Sequence, residues 1–453
     1  MSTITSPASL RFRRLDLAAA AGGDPEAMAH RRDLVRRGAV PDPAVRDTAR
    51  VTLADVRDGG DAAVRDANAR VGGGRADGSL VIGAAELAAA RDALAPTVRR
   101  ALDAAIANVE RFARTQRPVS TTTLITPGVE IERRWSPLAS VGAYVPGGSA
   151  PYPSSLVMTV VPARVAGVPR VVVATPADRD GNVHPVLLGA AGLLDVNTMI
   201  VAGGAQAIGA LTYGLPEAGI EPVDRIVGPG NAWVTAAKIE VCGEVGIDLP
   251  AGPSEGLVLA APPADARRVA MDLITQAEHG PDSPAILVTT DAAFADAVER
   301  HVEDLLAGAP RRAILLRSLG EHGRIVLAPD LAAAIDFTND YGPEHCSVDV
   351  EPLEDVVARI HNAGSLFVGP WAPESAGDYA TGANHVLPTG GLARSSGGLA
   401  VESYGKFVQV QRITREGLLS LADTVATLAE VEGLTAHRDA VVRRFDTDEE
   451  PTR

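Results

Sequence analysis

Short apolar runs bounded by glycine and proline alternate with stretches of helical period along most of this chain. Residues 169–177 (PRVVVATPA), 198–204 (TMIVAGG), 224–230 (DRIVGPG) and 246–255 (GIDLPAGPSE) have the texture of β-strands, and helical patterns at 185–195, 205–213 and 231–242 separate them. A second series follows: a strand at 256–261, a helix at 265–279, a strand at 285–290, a helix at 291–307, and strands at 324–328 and 365–370. Strand, helix, strand in this rhythm predicts a parallel sheet with helices on its faces, and two series predict two such units. Ahead of them, residues 25–115 are polar and helical, with Val51, Leu53 and Val56 at helix spacing and alanine-rich runs around 84–110. Residues 390–398 are loop-like, and the tail beyond, with Leu418, Leu421, Val425 and Leu428, reads as a separate helical arm. The expected class is α/β: two Rossmann-like domains built on doubly wound, largely parallel sheets, with an N-terminal helical region and a C-terminal helical arm.

Composition narrows the partners. The 453 residues are 46% hydrophobic and carry 42 Lys+Arg against 57 Asp+Glu, a net charge of −15. That balance repels phosphate backbones and anionic lipid, so no nucleic-acid and no membrane partner is expected. Two cysteines, Cys242 and Cys346, cannot build a disulfide framework or a thiolate zinc cluster. Asp16 interrupts the N-terminal apolar stretch before it reaches the length of a signal peptide's core, so the expected location is the cytoplasm. Lys238 and Lys406 are the only lysines, which narrows the choice for any Schiff base.

The chemistry concentrates at strand ends and turns. The fingerprint G-x-G-x-x-G is missing, but three glycine-rich turns, at Val145–Gly148, Gly203–Gln206 and Gly228–Asn231, follow strands and lead into helices. Glycine there admits close backbone approach, and free N–H groups at a helix start favour phosphate. In the segment Gln276-Ala-Glu-His279-Gly-Pro, Asp265 supplies an N-cap and Gly280-Pro281 a stop, so Gln276 and His279 fall in the last helical turn, on one face. An amide oxygen and an imidazole so placed suit a cation at the helix's negative end. Glu344-His345 joins a carboxylate to an imidazole on a Pro-constrained turn, and Pro373–Asp378 places an acid on a small-residue loop. Taken singly, the first reads as a solvated turn and Asp378 as a helix cap; together they offer an acid–base pair and a candidate third ligand. His385 admits either a packing or a site role.

These residues are embedded in longer segments. GAYVPGGSAPYPSS, VAGGAQAIGAL, DRIVGPGNAWVTAAK, DLPAGPSE, QAEHGPDSPAILVT, YGPEH, PESAGDYATGANHVLPT and LTAHRDAV resemble histidinol dehydrogenase, in that family's order, over roughly residues 30 to 440. The resemblance implies an NAD-dependent, four-electron oxidation of L-histidinol through L-histidinal to L-histidine, which closes histidine biosynthesis. It implies one zinc ion per subunit, held by Gln276, His279, Asp378 and His437. It assigns Glu344 and His345 to catalysis, and substrate contacts to Ser254, Gln276, His279, His345, Asp378, Glu432 and His437. Tyr144, Gln206 and Asn231 fall on NAD contacts, at or beside the three turns. It further implies a homodimer whose active sites are shared between subunits. On this basis residues 26–141 and 251–398 form the α/β domain with metal and catalytic groups, 142–250 a Rossmann-like NAD domain, 1–25 an N-terminal arm and 399–453 a dimerisation arm. The rival from another class is a zinc-dependent amide hydrolase in which Glu344 activates water; NAD dependence separates the two.

Overall fold

The computed structural model of the chain describes residues 10–147 and 150–446. Gly148 of the first glycine turn, and the outermost parts of both arms, 1–9 and 447–453, lie outside the described residues. The chain divides into two compact units, one of residues 1–116 with 138–404, the other of residues 117–137 with 405–453.

The larger unit holds two six-stranded sheets. In the first, the order is Arg13–Asp16, Arg324–Leu327, Ala285–Thr289, Gly256–Ala260, His345–Asp349, Ser365–Val368, and every pairing is parallel. Strands covered on both faces read as unbroken apolar runs. Thus all five residues of Gly256–Ala260 and of Ala285–Thr289 are buried. Leu257 and Leu259 enter the core on one face, and Val258 and Ala260 the core on the other. The strand Arg13–Asp16 escaped the sequence reading because three of its four residues are exposed. Charged, short strands of this kind suit an edge, where they blunt further pairing.

The second sheet has the order Val81–Gly83, Thr198–Val201, Arg170–Thr175, Ser140–Tyr144, Arg225–Val227, Gly246–Ile247. All its pairings are parallel except that of Val81–Gly83, which runs antiparallel to Thr198–Val201. The α/β class with Rossmann-like sheets is therefore what the chain adopts. Helix boundaries also agree closely: the helices expected at 265–279 and 291–307 span Ala266–Ala277 and Ala292–Leu306.

The helical region is grouped differently from the expectation. Residues 43–115, placed with 251–398 from the sequence, pack on the second sheet's layers, Leu53, Val56 and Val64 of helix Pro43–Val71 joining the core of Ala205, Ile208 and Leu211. Helix Ala84–Asp92 lies against Pro185–Leu193, where a Cβ on Gly192 would stand 2.2 Å from the Leu87 carbonyl oxygen. An apolar stripe states that a helix needs a cover, and chain order does not say which sheet supplies it. Residues 399–404 likewise stay with the larger unit, Tyr404 donating its hydroxyl to Thr159 O at 2.7 Å.

The smaller unit is a three-stranded antiparallel sheet, Gly405–Ile413 beside Val129–Pro137 beside Thr121–Thr126, with helices Arg415–Val431 and Thr435–Val442. No helix among the described residues is long and apolar enough to cross a membrane.

The Gly192 contact makes a test of the helix–helix seam. Gly192→Ala should lower the thermal midpoint, through an overpacking cost of about 1–3 kcal/mol. Gly243→Ala, at a glycine with open space around its Cβ direction, should leave the midpoint unchanged. Equal midpoints for both variants would contradict the close approach.

Candidate active site

A cluster of polar side chains gathers at the amino ends of the first sheet's strands. Helix Ala266–Ala277 starts on Asp265, whose carboxylate accepts the Arg267 N–H at 2.9 Å, and it delivers Gln276 and His279 at its end. Gln276 lies across the start of strand Gly256–Ala260, where a Cβ on Gly256 would sit 2.7 Å from Gln276 Cγ and Oε1, so that glycine makes the room. Gln276 Nε2 donates to Ser254 Oγ at 3.4 Å, while its Oε1 is buried without a partner. His279 Nδ1 stands 3.5 Å from Glu374 Oε1, and its Nε2 is 4.0 Å from Asp378 Oδ2.

Glu344 and His345 are brought in by a later helix. Leu331–Tyr341 stops at Gly342, which takes a left-handed φ of 57°, and Pro343 turns the chain into strand His345–Asp349. Glu344 Oε2 accepts the Glu255 N–H at 2.9 Å. His345 Nδ1 lies 3.7 Å from Glu344 Oε2 and 3.5 Å from Glu374 Oε1, and neither ring nitrogen has a hydrogen-bond partner. The solvated-turn reading of Glu344-His345 is thus wrong, since both are buried. Asp378 is no helix cap either: it lies inside Glu374–Tyr379, one turn after Glu374.

His279, Glu374 and Asp378 offer ligand atoms that all fall within 4.8 Å of one another, the group among the described residues that can hold a metal ion. Donors to a common zinc ion stand no more than about 4 Å apart, so small rotations suffice. Orphaned Gln276 Oε1 and Glu374 Oε1 beside an imidazole make a mixed nitrogen–oxygen donor set that fits a divalent cation. Glu374 was not singled out from the sequence, although its i, i+4 spacing to Asp378 was the available signal. Glu432 and His437 belong to the smaller unit, where both are exposed, and His437 is not a member of this cluster. His385 does take a place beside it, its Nδ1 3.1 Å from Asp378 O and its Nε2 3.2 Å from Ser155 Oγ.

Burial sets the proton affinities. It pushes the Glu344 carboxyl well above the usual carboxylate range, against the pull of the Glu255 N–H and the Ser254 hydroxyl. It raises Glu374 likewise, reinforced by Asp378 and Glu344, and raises Asp378. The His345 imidazole is pushed down to about 3 by burial and by the neighbouring His279 and His385. A neutral imidazole with open nitrogens, beside carboxyl groups, is equipped to accept a proton.

The three glycine turns lie at the carboxyl ends of Ser140–Tyr144, Thr198–Val201 and Arg225–Val227, the usual ligand edge of a parallel sheet. Tyr144 is buried, and burial raises its pKa to about 12 against the opposing pull of the nearby Gly204 backbone. Gln206 Nε2 donates to Asn68 Oδ1 at 3.2 Å. Asn231 caps helix Ala232–Val241 by accepting from Trp233 and Val234. Lys238, which the sequence left without a role, is buried against Asp248; its ammonium donates to Gly228 O at 3.0 Å, and Asp248 Oδ2 accepts the Gly228 N–H at 2.7 Å. That pair holds the third turn from both sides, and it commits the ammonium to structure.

Two largely parallel sheets, one presenting glycine turns and the other a buried carboxyl–imidazole pair beside a cation-type donor set, give an α/β protein equipped as an enzyme. The histidinol dehydrogenase family model matches residues 35–445. The histidinol dehydrogenase of Leifsonia xyli is 48% identical over 417 residues, spanning 91% of this chain and 95% of that protein. That of Methanothermobacter thermautotrophicus is 45% identical over 394 residues, 86% of this chain and 91% of the other. The crystal structure of histidinol dehydrogenase from Elizabethkingia anophelis superposes with a TM-score of 0.88 at 34% identity, covering 97% of this chain and 99% of that one. The chain belongs to the histidinol dehydrogenase family.

The raised carboxyls have a measurable consequence in protein stripped of metal. A folded-state pKa above the unfolded value of roughly 4.3 means that the folded chain binds more protons over that interval, so stability falls as pH rises through the carboxylate range. His345 works the other way: with its pKa depressed to about 3, it adds stability as pH rises from there to its ordinary value near 6.5. Glu374→Gln removes one raised carboxyl, so it should raise the thermal midpoint of chelated protein more at pH 8 than at pH 5. An equal shift at both pH values would contradict the buried, raised carboxyl.

Proposed function

We propose that this protein is an NAD-dependent, zinc-containing histidinol dehydrogenase that converts L-histidinol through L-histidinal to L-histidine, the closing steps of histidine biosynthesis. The observation that carries the proposal is the buried Glu344–His345 pair, with open imidazole nitrogens, set against the His279, Glu374 and Asp378 donors in a chain of this family. Gln276, His279, Asp378 and His437 hold one zinc ion per subunit; Glu374 is a neighbour the sequence reading omitted. Bound there, zinc supplies a template and Lewis acid that orients the substrate's nitrogen atoms. NAD, held by Tyr144, Gln206 and Asn231 at the glycine turns, supplies the hydride acceptor for both oxidations.

The chain's own groups do the proton work. His345, neutral at physiological pH because burial disfavours its cation, takes the alcohol proton as the first hydride leaves. Glu344 takes a proton from the water that hydrates the aldehyde, held for that task by the Glu255 N–H. Ser254, Gln276, His279, His345, Asp378, Glu432 and His437 position the substrate. The dry surroundings strengthen each of these interactions and exclude stray water. A zinc amide hydrolase is the disfavoured alternative, because neither family membership nor the three glycine turns supports it.

Glu432 and His437 sit on the smaller unit, and we assign them to the site of a partner subunit in a homodimer. Support comes from that unit's surface, where Leu419, Leu428, Val431 and Leu434 are exposed large apolar residues of the kind that mark a protein contact. We place the enzyme in the cytoplasm, where the histidine biosynthetic pool and two free cysteines fit.

With limiting L-histidinol, two NADH and one histidine per molecule consumed are expected, read at 340 nm and by amino-acid analysis; one NADH with free histidinal would refute the four-electron reading, and NAD-independent turnover would favour the hydrolase. Glu344→Gln should slow histidinal oxidation by about 10²–10⁴-fold, the range for loss of a general base, and histidinol oxidation far less. Equal losses would end that division of roles. Shared sites are tested by isolating heterodimers of His437→Asn and His345→Asn chains: crossing arms leave one intact site, so activity well above either parent is expected, and activity no higher than the parents rules sharing out.

A further inference from the structure

The turn that carries Glu344 and His345 is held by groups that neither half of the reaction consumes. Glu255 immediately precedes strand Gly256–Ala260, and its peptide groups touch both members of the pair. Its N–H donates to Glu344 Oε2 at 2.9 Å, and its carbonyl accepts the His345 N–H at 3.2 Å. The Glu255 side chain, 3% exposed, is gripped in a fork by Arg37, with Nε 2.7 Å from Oε2 and Nη2 2.5 Å from Oε1.

Arg37 itself is fixed on every side. Its guanidinium lies 3.2 Å over the Tyr341 ring, and Nη1 donates to the carbonyls of Tyr341 at 2.7 Å and Leu34 at 3.1 Å. Tyr341 is the last residue of helix Leu331–Tyr341 and leads directly into Gly342-Pro343-Glu344. One guanidinium therefore ties the end of helix Pro25–Val35, the helix before the Glu344-His345 turn, and the residue whose backbone holds the Glu344 side chain and the His345 main chain.

We propose that Arg37, through its buried ion pair with Glu255, is a positioning residue that sets the geometry of Glu344 and His345; this rests on the reading of those two as the reaction's acid–base groups. The chemistry explains why a salt bridge stands here. A buried ion pair adds little stability compared with an apolar pair of the same volume, yet it is strict about geometry. The planar fork and stacked face match arginine and not lysine, whose ammonium is a single point charge on a flexible stem. With the fork gone, the Glu255 carboxylate is left buried without its partner and must rotate or protonate, and its peptide moves with it. Displacement of catalytic groups by an ångström costs on the order of 10²-fold in rate.

The test compares Arg37→Lys, Arg37→Met and the double variant Arg37→Met/Glu255→Met in metal-loaded, full-length protein. Arg37→Lys and Arg37→Met should lower kcat by about 10- to 100-fold for histidinol and for histidinal alike, because Glu255 holds both catalytic residues. The KM values for histidinol and NAD should change far less than kcat. The double variant leaves no stranded charge, so it should regain the wild-type thermal midpoint and still be slow. Recovery of kcat together with the midpoint would show that Arg37 acts on stability alone and would overturn the proposal. So would wild-type kcat in folded Arg37→Lys, which also serves if Arg37→Met does not fold. Wild-type protein that does not reduce NAD with histidinol would sink the reading of the site, and this proposal with it, whereas an active wild type with indifferent Arg37 variants sinks the positioning role alone.

Discussion

Four ionisable side chains, Glu344, His345, Glu374 and Asp378, are taken out of water together, with several of their polar atoms left unbonded. Burying such groups without partners costs free energy, and a flexible surrounding would relax to hydrate them or pair them off. The rest of the architecture can be understood as what prevents that relaxation. Strands Gly256–Ala260 and His345–Asp349 are neighbouring interior strands of an all-parallel sheet with a packed core on each face, so the first residues of these strands cannot drift. Glycines at 256 and 364 let side chains and backbone close over the site, a Cβ on Gly364 falling 2.6 Å from the Glu344 carbonyl oxygen.

Chain path explains how two different sheet edges serve one enzyme. The glycine turns stand at carboxyl ends of the second sheet, whereas Ser254, Glu255 and His345 stand at amino ends of the first. Strand Gly246–Ile247 leaves the second sheet at its carboxyl end, and the chain reaches Gly256 nine residues later, no more than about 30 Å of extended backbone. Along that link Asp248 holds the third glycine turn and Glu255 holds the Glu344-His345 turn, so a single segment registers both.

Much of the fold was legible because parallel strands buried on both faces have to be apolar throughout, and the helices between them carry their own caps. Asp265 before Ala266–Ala277 and Gly280-Pro281 after it bracketed the helix that presents Gln276 and His279. The strand Arg13–Asp16 was not legible, since only its pairing with Arg324–Leu327 makes four largely exposed residues a strand. Nor was the docking of residues 43–115, because an amphipathic stripe is satisfied by any apolar face. Gln276, His279, Glu344, His345 and Asp378 drew attention through their chemistry, and Ser254, Tyr144, Gln206 and Asn231 only through the family resemblance, yet the burial of Glu344 and His345 could not be read from a polar turn: it is created by strands distant in sequence. Glu374 was passed over although its i, i+4 spacing to Asp378 was visible, because a single helical turn offers no repeat to confirm that spacing, and Arg37 because its partner lies 218 residues away.

The positions of the charges make the site's protonation collective. His345 Nδ1 lies within 4 Å of both a Glu344 and a Glu374 oxygen, and Asp378 and Glu344 in turn raise the proton affinity of Glu374. While the carboxyls are protonated, burial and the neighbouring His279 and His385 keep the His345 imidazole neutral. Once either glutamate ionises, its charge at that distance in a dry site favours a cation on the ring, so the same imidazole becomes a stronger base. Burial remains the largest influence on the ring, and ionisation of a neighbouring carboxyl modulates the base strength that burial sets. The scaffold matters at the ring for this reason: the Glu255 N–H fixes the Glu344 carboxyl and the Glu255 carbonyl fixes the His345 main chain, so the distance over which that modulation acts is held.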